Sequence, residues 1–504
     1  MEVPGFDKQA ADRTMDKIRE YYEKQDYLPI LELADEMLSR PLTDIYIADA
    51  TQYKSYVYYH YGDVQKFVDN RIKSVQHLGE EHWETKLRMW GDILFAMHYL
   101  PKYTDKELSD AHKYAAKIVE HVQPIYDDAR KRSHRLRHYK RPKIKIGYLS
   151  PDFLSHVNMN FVIQLLAAYH HSQFEVHAFS LRSRKFDDLV TNQIKECLDY
   201  WHDLEKLGSK EAAEYIAAQE VDILVDVSVH AAGSRTLQIC AYKPAPIIVS
   251  GIGYMSTSGI PQVDYFLTDI HLDPVGEGDE HFSEKLLRLP KSHFCYTPNE
   301  RAQNYEVITT VNSPIVFGSL NSFYKLNEEL LTVWQRIMAR VPGSRLILQS
   351  TTSDLIEEFT REKLQRLGFN LDNITFKKQS GEYYQTYQEI DIMLDSYPYT
   401  GGGTTCDALY MGVPVITRRG TRHGTRFGAS LLENLGLGEL VVDNYTDYED
   451  LAVELASSPE VVAGLKQRIQ PMMINSPLMD AKGYINDVEA LYKEIWQKFL
   501  HGEK

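Results

Sequence analysis

The chain has 504 residues, with 71 acidic against 56 basic side chains and a formal net charge of −15 at neutral pH. At about 150 residues per domain, this length predicts about three domains. The composition, 43% hydrophobic and 25% charged, excludes a mainly disordered, collagen-like or membrane-spanning chain, and no apolar run approaches the roughly 20 residues of a bilayer span. The acidic balance argues against a broad nucleic-acid-binding surface.

The start of the chain and its cysteines favour the cytoplasm. Residues 1–7 lack a basic segment followed by an apolar one, so we expect no secretory signal. The cysteines lie far apart in the sequence and form no Cys-x-x-Cys pair, so neither a zinc site nor a disulfide framework is predicted; they are Cys197, Cys240, Cys295 and Cys406.

Residues 1–140 are predicted to form a helical domain, because apolar side chains recur at three- and four-residue spacing. Two stretches in it are similar, residues 21–27 and 58–64, and Asp26 and Asp63 are 37 residues apart. That spacing favours helix-turn-helix repeats of the tetratricopeptide type. A plain helical bundle with a chance Tyr-Tyr match stays open as the alternative.

A basic run follows, with eight positive side chains between residues 131 and 145. Such a run is usually a solvated segment, so we expect a linker here, although it could also attract an anionic partner. Pro142 is expected to end helical character.

Beyond the basic run the pattern changes to alternating strands and helices, which is typical of a parallel sheet covered by helices. We expect an α/β fold with two such lobes, at 141–300 and 312–504, joined by an Asn/Pro/Thr-rich linker near 297–313 and preceded by the helical domain. The predicted strands are residues 143–148, 174–180, 221–226, 315–318, 346–348, 390–394 and 413–416, and the predicted helices are 160–169, 209–218 and 328–340.

A glycine-rich turn at 399–412 follows a predicted strand and opens a helix. Its three consecutive glycines allow close backbone approach, and Thr404 or Thr405 could cap the helix and leave amides free for an anion. The turn matches neither an ATPase loop nor a dinucleotide fingerprint. A phosphate site and an ordinary tight turn are both consistent with the pattern.

Four further side chains follow predicted strands, where ligands bind in parallel sheets. Lys325 could meet a diphosphate as a point charge. His156 has an ordinary pKa suited to proton transfer, Asp152 could orient it, and His230 is a further catalytic candidate. Each could instead be a surface or packing residue. No Asp-x-Asp occurs, so we expect no metal and no cofactor, with Lys325 and helix amides neutralising the ligand.

At these residues the chain resembles glycosyltransferase family 41, which holds the protein O-GlcNAc transferases and the SPINDLY proteins. The likeness runs from about Lys143 to Trp496. It is carried by residues 147–153, 243–246, 253–259, 263–269, 288–290, 317–321, 394–399 and 403–414.

The resemblance implies a GT-B fold, two Rossmann-like lobes with a nucleotide sugar between them, and a metal-independent transfer to Ser or Thr hydroxyls of a protein. Lys325 would stabilise the leaving diphosphate, and His156 and Asp152 would lie near the sugar and the acceptor. The implied nucleotide-sugar site comprises Ser322, Lys325, Gly253, Tyr254, Tyr383, Gly402, Gly403, Thr404, Thr405 and Asp407.

Departures from the family pattern bring the chain nearer its SPINDLY and bacterial branch. Tyr383 replaces a histidine that stacks near the nucleotide base, Gly402-Gly403 replaces His-Thr of the animal enzymes, and Val229-His230 replaces a common Gly-His. The donor is therefore UDP-GlcNAc or, as in SPINDLY proteins, GDP-fucose. Another GT-B chemistry on a small molecule and a non-catalytic nucleotide-binding scaffold remain as rivals.

Overall fold

The computed structural model describes residues 3–231, 234–350, 353–378 and 383–503. Helices fill the chain ahead of the first strand: α1 Lys8–Glu23, α2 Leu28–Leu38, α3 Asp44–Tyr61, α4 Val64–Gln76, α5 Trp83–Met97, α6 Asp105–Ala116 and α7 Asp128–His138. None of the helices in the described residues is long and apolar enough to cross a bilayer.

The two similar Tyr-Tyr stretches close the first helices of two helix pairs, α1–α2 and α3–α4. Short turns join each pair, and Asp63 caps α4 by accepting a hydrogen bond from the Lys66 amide. Gly62 takes the left-handed conformation (φ 76°) that the turn after α3 requires. The pairs agree with the helix-turn-helix interpretation, and the tetratricopeptide assignment stays a prediction.

The first sheet has seven parallel strands in the order β3-β2-β1-β4-β5-β6-β7. Its central strands are buried on both faces, as expected for a parallel sheet between helix layers. The strands are β1 Ile144–Ser150, β2 Phe174–Ser180, β3 Tyr200–Asp203, β4 Ile223–Asp226, β5 Ile247–Gly251, β6 Tyr265–Asp269 and β7 Lys285–Leu289, and the helices are α8 Met159–Ala167, α9 Leu189–Cys197, α10 Ser209–Ala218 and α11 Thr236–Cys240.

The second sheet has six parallel strands in the order β10-β9-β8-β11-β12-β13, which confirms the predicted α/β class. Its strands are β8 Val316–Ser319, β9 Arg345–Ser350, β10 Ile374–Lys378, β11 Ile392–Leu394, β12 Val415–Arg418 and β13 Val441–Val442. Its chain segment also forms α12 Glu328–Arg340, α13 Asp354–Arg366, α14 Tyr383–Gln388, α15 Gly403–Tyr410, α16 Phe427–Leu435, α17 Tyr445–Ala456, α18 Pro459–Ile474 and α19 Ala481–His501.

Each sheet has one point where the strand order reverses, between β1 and β4 in the first and between β8 and β11 in the second. Ligands of open α/β sheets bind beside the carboxyl ends of the strands at such points. The loops that follow these four strands carry His156, His230, Lys325 and the glycine turn. The topology therefore gathers most of the sequence-predicted residues at two sheet edges.

The expectation that the basic run at 131–145 forms a solvated linker is wrong. Most of it forms α7, and two of its arginines make ion pairs with the first lobe, Arg137 with Glu220 (2.9 Å) and Arg141 with Asp222 (3.2 Å). Asp222 is fully buried and also contacts His134 Nε2 at 2.7 Å. Positive charge in this segment therefore attaches the helical region to the first sheet.

The C-terminal helix α19 returns to the first lobe, although it follows the second lobe in the chain. The Glu489 carboxylate accepts hydrogen bonds from the backbone amide (2.7 Å) and Nδ1 (2.8 Å) of His170. Farther along the helix, Tyr492 lies 3.5 Å from the Tyr148 hydroxyl on β1. The predicted second segment, 312–504, thus ends in a helix that packs on the other sheet.

A buried ion pair in the second lobe provides a test of its packing. Lys466 Nζ on α18 donates to the Ile390 carbonyl (3.0 Å) and lies 3.4 Å from Asp391 Oδ1, with both side chains at most 1% exposed. We expect Lys466→Met to destabilise the lobe by about 3–5 kcal/mol, because it leaves a buried carboxylate without its cation. Urea unfolding followed by tryptophan fluorescence measures the change.

Arg468→Met is the matched control on the same helix. Arg468 pairs with Glu439 at the surface, both about half exposed, and an exposed pair contributes less than about 1 kcal/mol. Equal destabilisation by the two substitutions would contradict the account of the Lys466 pair.

Candidate active site

Lys325 lies in a short 3₁₀ turn that follows β8, and its ammonium is held by neutral groups. Nζ donates to Asn321 Oδ1 (3.0 Å) and to the Thr400 carbonyl (3.1 Å) and lies 4.0 Å from the centroid of the Tyr399 ring. In the part of the chain that the structure describes, no carboxylate forms an ion pair with it. Burial disfavours the charged form and lowers the pKa of Lys325 to about 8.

Asp395, at the end of β11, shapes the glycine turn. Its Oδ1 accepts the Gly401 amide (2.7 Å) and the Ser396 amide (2.8 Å), and its Oδ2 accepts the Thr417 hydroxyl (2.8 Å). Burial raises the pKa of Asp395 to about 6. A side chain at Gly401 would collide with the hydroxyl oxygens of Thr404 and Thr405, so this turn requires glycine.

The turn leads into α15, whose first amides are left without backbone partners, as at any helix N-terminus. Gly402 is the cap residue, and neither threonine caps the helix with its side chain; both lie inside the first turn, which corrects the expected capping role. Thr404 Oγ1 donates instead to Asn321 Oδ1 (3.0 Å), the same oxygen that accepts from Lys325. Asn321 therefore joins the lysine to the helix N-terminus.

The loop after β1 faces this helix N-terminus from the first lobe. A Cβ at Gly403 would lie 2.5 Å from Val157 Cγ2, so the two lobes meet closely there. The neighbouring His156 is 43% exposed in its side chain, and its Nδ1 accepts the Asn158 amide at 3.2 Å. Asp152 lies 4.0 Å from that nitrogen, beyond hydrogen-bond distance, and 3.5 Å from Arg182.

An open cavity of about 680 Å³ adjoins His156. It is bounded by the loop after β1, by the start of α9 and by the segment that joins the lobes, with Asn160, Asp188, Thr297 and Arg301 among the lining side chains. Its lining includes neither Lys325 nor the glycine turn, so the cavity lies beside His156 and not at the lysine.

Gly253 supports the loop after β1, since a Cβ there would lie 2.8 Å from Asn158 Nδ2. Its neighbour Tyr254 is buried, with its hydroxyl 2.8 Å from His112 Nε2 in the helical region. Gly253 thus lies close to the loop of His156, whereas the side chain of Tyr254 points into a contact with α6.

His230 is buried in the same contact with the helical region. Its Nε2 donates to the Ser258 carbonyl (2.9 Å), its ring lies 5.0 Å from that of Tyr254, and Gly91 of α5 packs over it. Burial lowers the pKa of His230 to about 3, so the ring is neutral. The structure does not bring this histidine to Lys325.

Asp407, on the second turn of α15, lies among tyrosines. Its carboxylate accepts hydrogen bonds from the hydroxyls of Tyr296 (2.5 Å), Tyr383 (3.3 Å) and Tyr384 (3.4 Å). Burial raises the pKa of Asp407 to about 6. The sequence-predicted pair Tyr383 and Asp407 is therefore in contact, and their binding of the nucleoside stays a prediction.

The structure adds groups that the sequence reasoning did not single out, above all Asn321, Asp395 and Tyr399. Each lies in a stretch that carries the family resemblance, and Asp395 directly follows a strand, which was the available signal. Ser322, by contrast, contributes its carbonyl to the Lys325 amide (2.9 Å), and its side chain is half-buried.

Comparison with known proteins supports the same family. The sequence model of glycosyl transferase family 41 matches residues 69–300 and 299–488. The chain is 32% identical over 423 residues to a Solanum lycopersicum protein and 34% identical over 426 residues to one from Eustoma exaltatum subsp. russellianum. Both are named "probable UDP-N-acetylglucosamine--peptide N-acetylglucosaminyltransferase SPINDLY".

These alignments cover 81% of this chain and 44% of each relative, so the chain spans less than half the length of the relatives it matches. Among solved structures, a mutant of the Thermobaculum terrenum O-GlcNAc transferase aligns over all of both chains with a TM-score of 0.75 and 23% identity. That likeness confirms the predicted fold. The match of the family model over most of the sequence shows that this chain belongs to glycosyltransferase family 41.

Proposed function

We propose that this chain transfers a sugar from a nucleotide donor to a Ser or Thr hydroxyl of a protein, without a metal ion. The observation that carries the proposal is the half-buried Lys325 ammonium, which shares Asn321 with the N-terminus of α15 and has no carboxylate partner in the described residues. A cation and free helix amides at one place suit a diphosphate. Together they supply the positive charge that a metal would otherwise bring.

In the proposed reaction the acceptor hydroxyl oxygen bonds to the anomeric carbon of the sugar. The bond from that carbon to the diphosphate breaks, and the nucleoside diphosphate leaves with the electron pair. Lys325 and the α15 amides stabilise the negative charge that grows on the leaving group. The acceptor proton passes to a base, for which His156 is our candidate because it is accessible beside the large cavity.

UDP-GlcNAc is the proposed donor, in line with the names of the SPINDLY relatives. GDP-fucose is the second candidate, favoured by Tyr383 at the position where the family has a histidine near the base. The proposed acceptor is a protein segment brought to the cleft by the adjoining helical region. Since all four cysteines are unpaired and three of them are buried, we also propose a reducing compartment, the cytoplasm.

Replacing Lys325 tests the site directly. We expect Lys325→Met to fold but to lose transfer by about 10²-fold or more, because removing one group that stabilises transition-state charge costs that much. Radiolabelled UDP-GlcNAc with candidate acceptor proteins measures transfer. The matched control is Lys498→Met on α19, a lysine that pairs with Glu494 at the surface; near-normal turnover by Lys325→Met would refute the proposed mechanism.

The pKa of Lys325 predicts that the affinity for the donor nucleotide falls at basic pH, which gives the plot of affinity against pH a basic limb. The ammonium is the binding form and its pKa is about 8, so UDP affinity should fall about tenfold per pH unit as the pH rises beyond that value. Asp395, with a pKa of about 6, is already ionised there, and the pKa of Tyr399 is raised above its ordinary value. Calorimetric titration from about pH 7 upward avoids ionisation of the terminal phosphate.

Lys325→Arg is the control for this titration, because a guanidinium keeps its charge throughout the range. The basic limb should disappear in that variant even if its affinity is lower. An unchanged limb would assign the titration to another group.

Calorimetry with UDP and GDP side by side tests the donor. We expect the protein to bind UDP more tightly than GDP. The reverse order would identify GDP-fucose as the donor. Binding of neither by folded protein would favour the non-catalytic scaffold and refute the proposed function.

A further inference from the structure

The ring beneath the Lys325 ammonium is packed by the helical region. Lys325 Nζ lies over the face of the Tyr399 ring, 4.0 Å from the ring centroid. Two side chains of the helical region contact the same ring: Phe95 on α5, with centroids 6.0 Å apart at 74°, and Tyr99 just beyond α5, 5.7 Å apart at 34°. The position of the Tyr399 ring therefore depends on residues some 300 positions earlier in the chain.

A second contact reaches the residue next to the lysine. Tyr324 is stacked on Tyr59 of α3, with centroids 4.7 Å apart at 23°, and on Tyr99, 6.1 Å apart at 27°. Its hydroxyl donates to the Tyr59 carbonyl at 3.1 Å. Tyr99 thus touches both the ring under the ammonium and the side chain that precedes Lys325.

These contacts matter because lysine is a flexible side chain whose ammonium makes no directed fork of hydrogen bonds. Two neutral acceptors and one ring hold Lys325 Nζ, and the ring is itself contacted by Tyr99 from outside the second lobe. If the ring moves, the ammonium loses one of its three contacts and gains access to water. Misplacement of a catalytic group by about 1 Å is enough to slow a reaction about 10²-fold.

We propose that Tyr99 of the helical region is a positioning residue for the reaction, because it holds Tyr399 and Tyr324 so that Lys325 stays at the N-terminus of α15. The inference rests on the proposed function and extends it. The helical region then serves the donor half of the reaction in addition to bringing the acceptor. Replacing Tyr99 should therefore slow hydrolysis of the donor even when no acceptor protein is present.

Donor hydrolysis isolates that effect. In this reaction a water oxygen bonds to the anomeric carbon, the nucleoside diphosphate leaves with the electron pair, and one proton of the water is released. UDP release from UDP-GlcNAc and GDP release from GDP-fucose are both assayed with the wild-type chain, and the donor that is hydrolysed is used for the variants. A residue that only presents the acceptor does not alter this rate.

The informative variants are Tyr99→Ala and Tyr99→Phe. Within the described residues the Tyr99 hydroxyl makes no hydrogen bond, so the ring alone is expected to act, and Tyr99→Phe should stay within about twofold of wild type. Tyr99→Ala should lower kcat for hydrolysis by about tenfold or more with a smaller change in KM. Tyr114→Ala is the matched control, since Tyr114 packs on Trp90 at the surface of the helical region.

The pH profile separates positioning from a general loss of stability. In Tyr99→Ala water reaches Lys325, so burial no longer lowers its pKa as far, and the basic limb of kcat/KM should move upward. Among the described residues, Asp395 acts on the charge of Lys325, and the tyrosines at 99, 324 and 399 form the aromatic contact beside it. The carboxylate is ionised at these pH values, and all three phenols have raised pKa values. The fall of kcat/KM at basic pH therefore follows the deprotonation of Lys325.

A loss of hydrolysis that Phe restores, together with the shifted limb, would establish the proposal. Unchanged hydrolysis in folded Tyr99→Ala, a loss confined to protein transfer, or a loss with an unmoved limb would overturn it. Tyr99→Leu, which keeps apolar bulk, replaces the alanine variant if thermal unfolding shows that alanine does not fold. If the wild-type chain neither hydrolyses the two donors nor binds UDP or GDP, the proposed function itself fails, and the inference falls with it.

Discussion

The electrostatics of the candidate site depend on one positive charge that has no ion-pair partner among the described residues. The Lys325 ammonium rests on an amide oxygen, a backbone carbonyl and an aromatic face, none of which carries a negative charge. The carboxylate of Asp395, whose negative charge acts on the lysine, accepts hydrogen bonds from the backbone amides of Gly401 and Ser396. An anion about 4 Å away would gain about 4 kcal/mol at the effective dielectric of a protein surface, so the site is prepared for negative charge before any ligand arrives.

The topology of both sheets places the loops of the candidate site around Lys325. The strand-order reversal in the second sheet places the turn of Lys325 and the glycine turn side by side. The reversal in the first sheet brings the loop of His156 opposite them, and the contact of Val157 with Gly403 sets how closely the lobes approach. The glycines matter here because a larger side chain at either Gly401 or Gly403 would collide with its neighbours.

Local sequence patterns predicted the elements that depend on local forces. The bounds of β2, α10 and α12 agree with the predicted ones, because strand alternation and helical periodicity are strong there. The sequence allowed candidate residues in the loops after strands, such as Lys325 and Thr404, to be chosen. It did not predict their tertiary contacts: His230 also follows a strand, yet α5 covers it, and no local pattern near residue 230 indicates that contact.

The same limit applies to charge and to aromatic side chains. The basic run looked solvated because its partners, Glu220 and Asp222, lie some 80 residues away. The contacts of Tyr99 with Tyr324 and Tyr399 join segments more than 200 residues apart. Such pairings depend on how the helical region and the two lobes pack against one another, and a local sequence pattern does not predict that packing.

The return of α19 to the first lobe has a mechanical consequence. The chain crosses between the lobes near residues 290–315 and again near 475–480, so two covalent connections join the lobes. Helix α6 adds a non-covalent connection, with Ser109 hydrogen-bonded to the His281 carbonyl (3.2 Å) on one lobe and Asp105 paired with Arg422 (3.0 Å) on the other. The helical region therefore bridges the two lobes, and any separation of the lobes at this point breaks one of the α6 contacts.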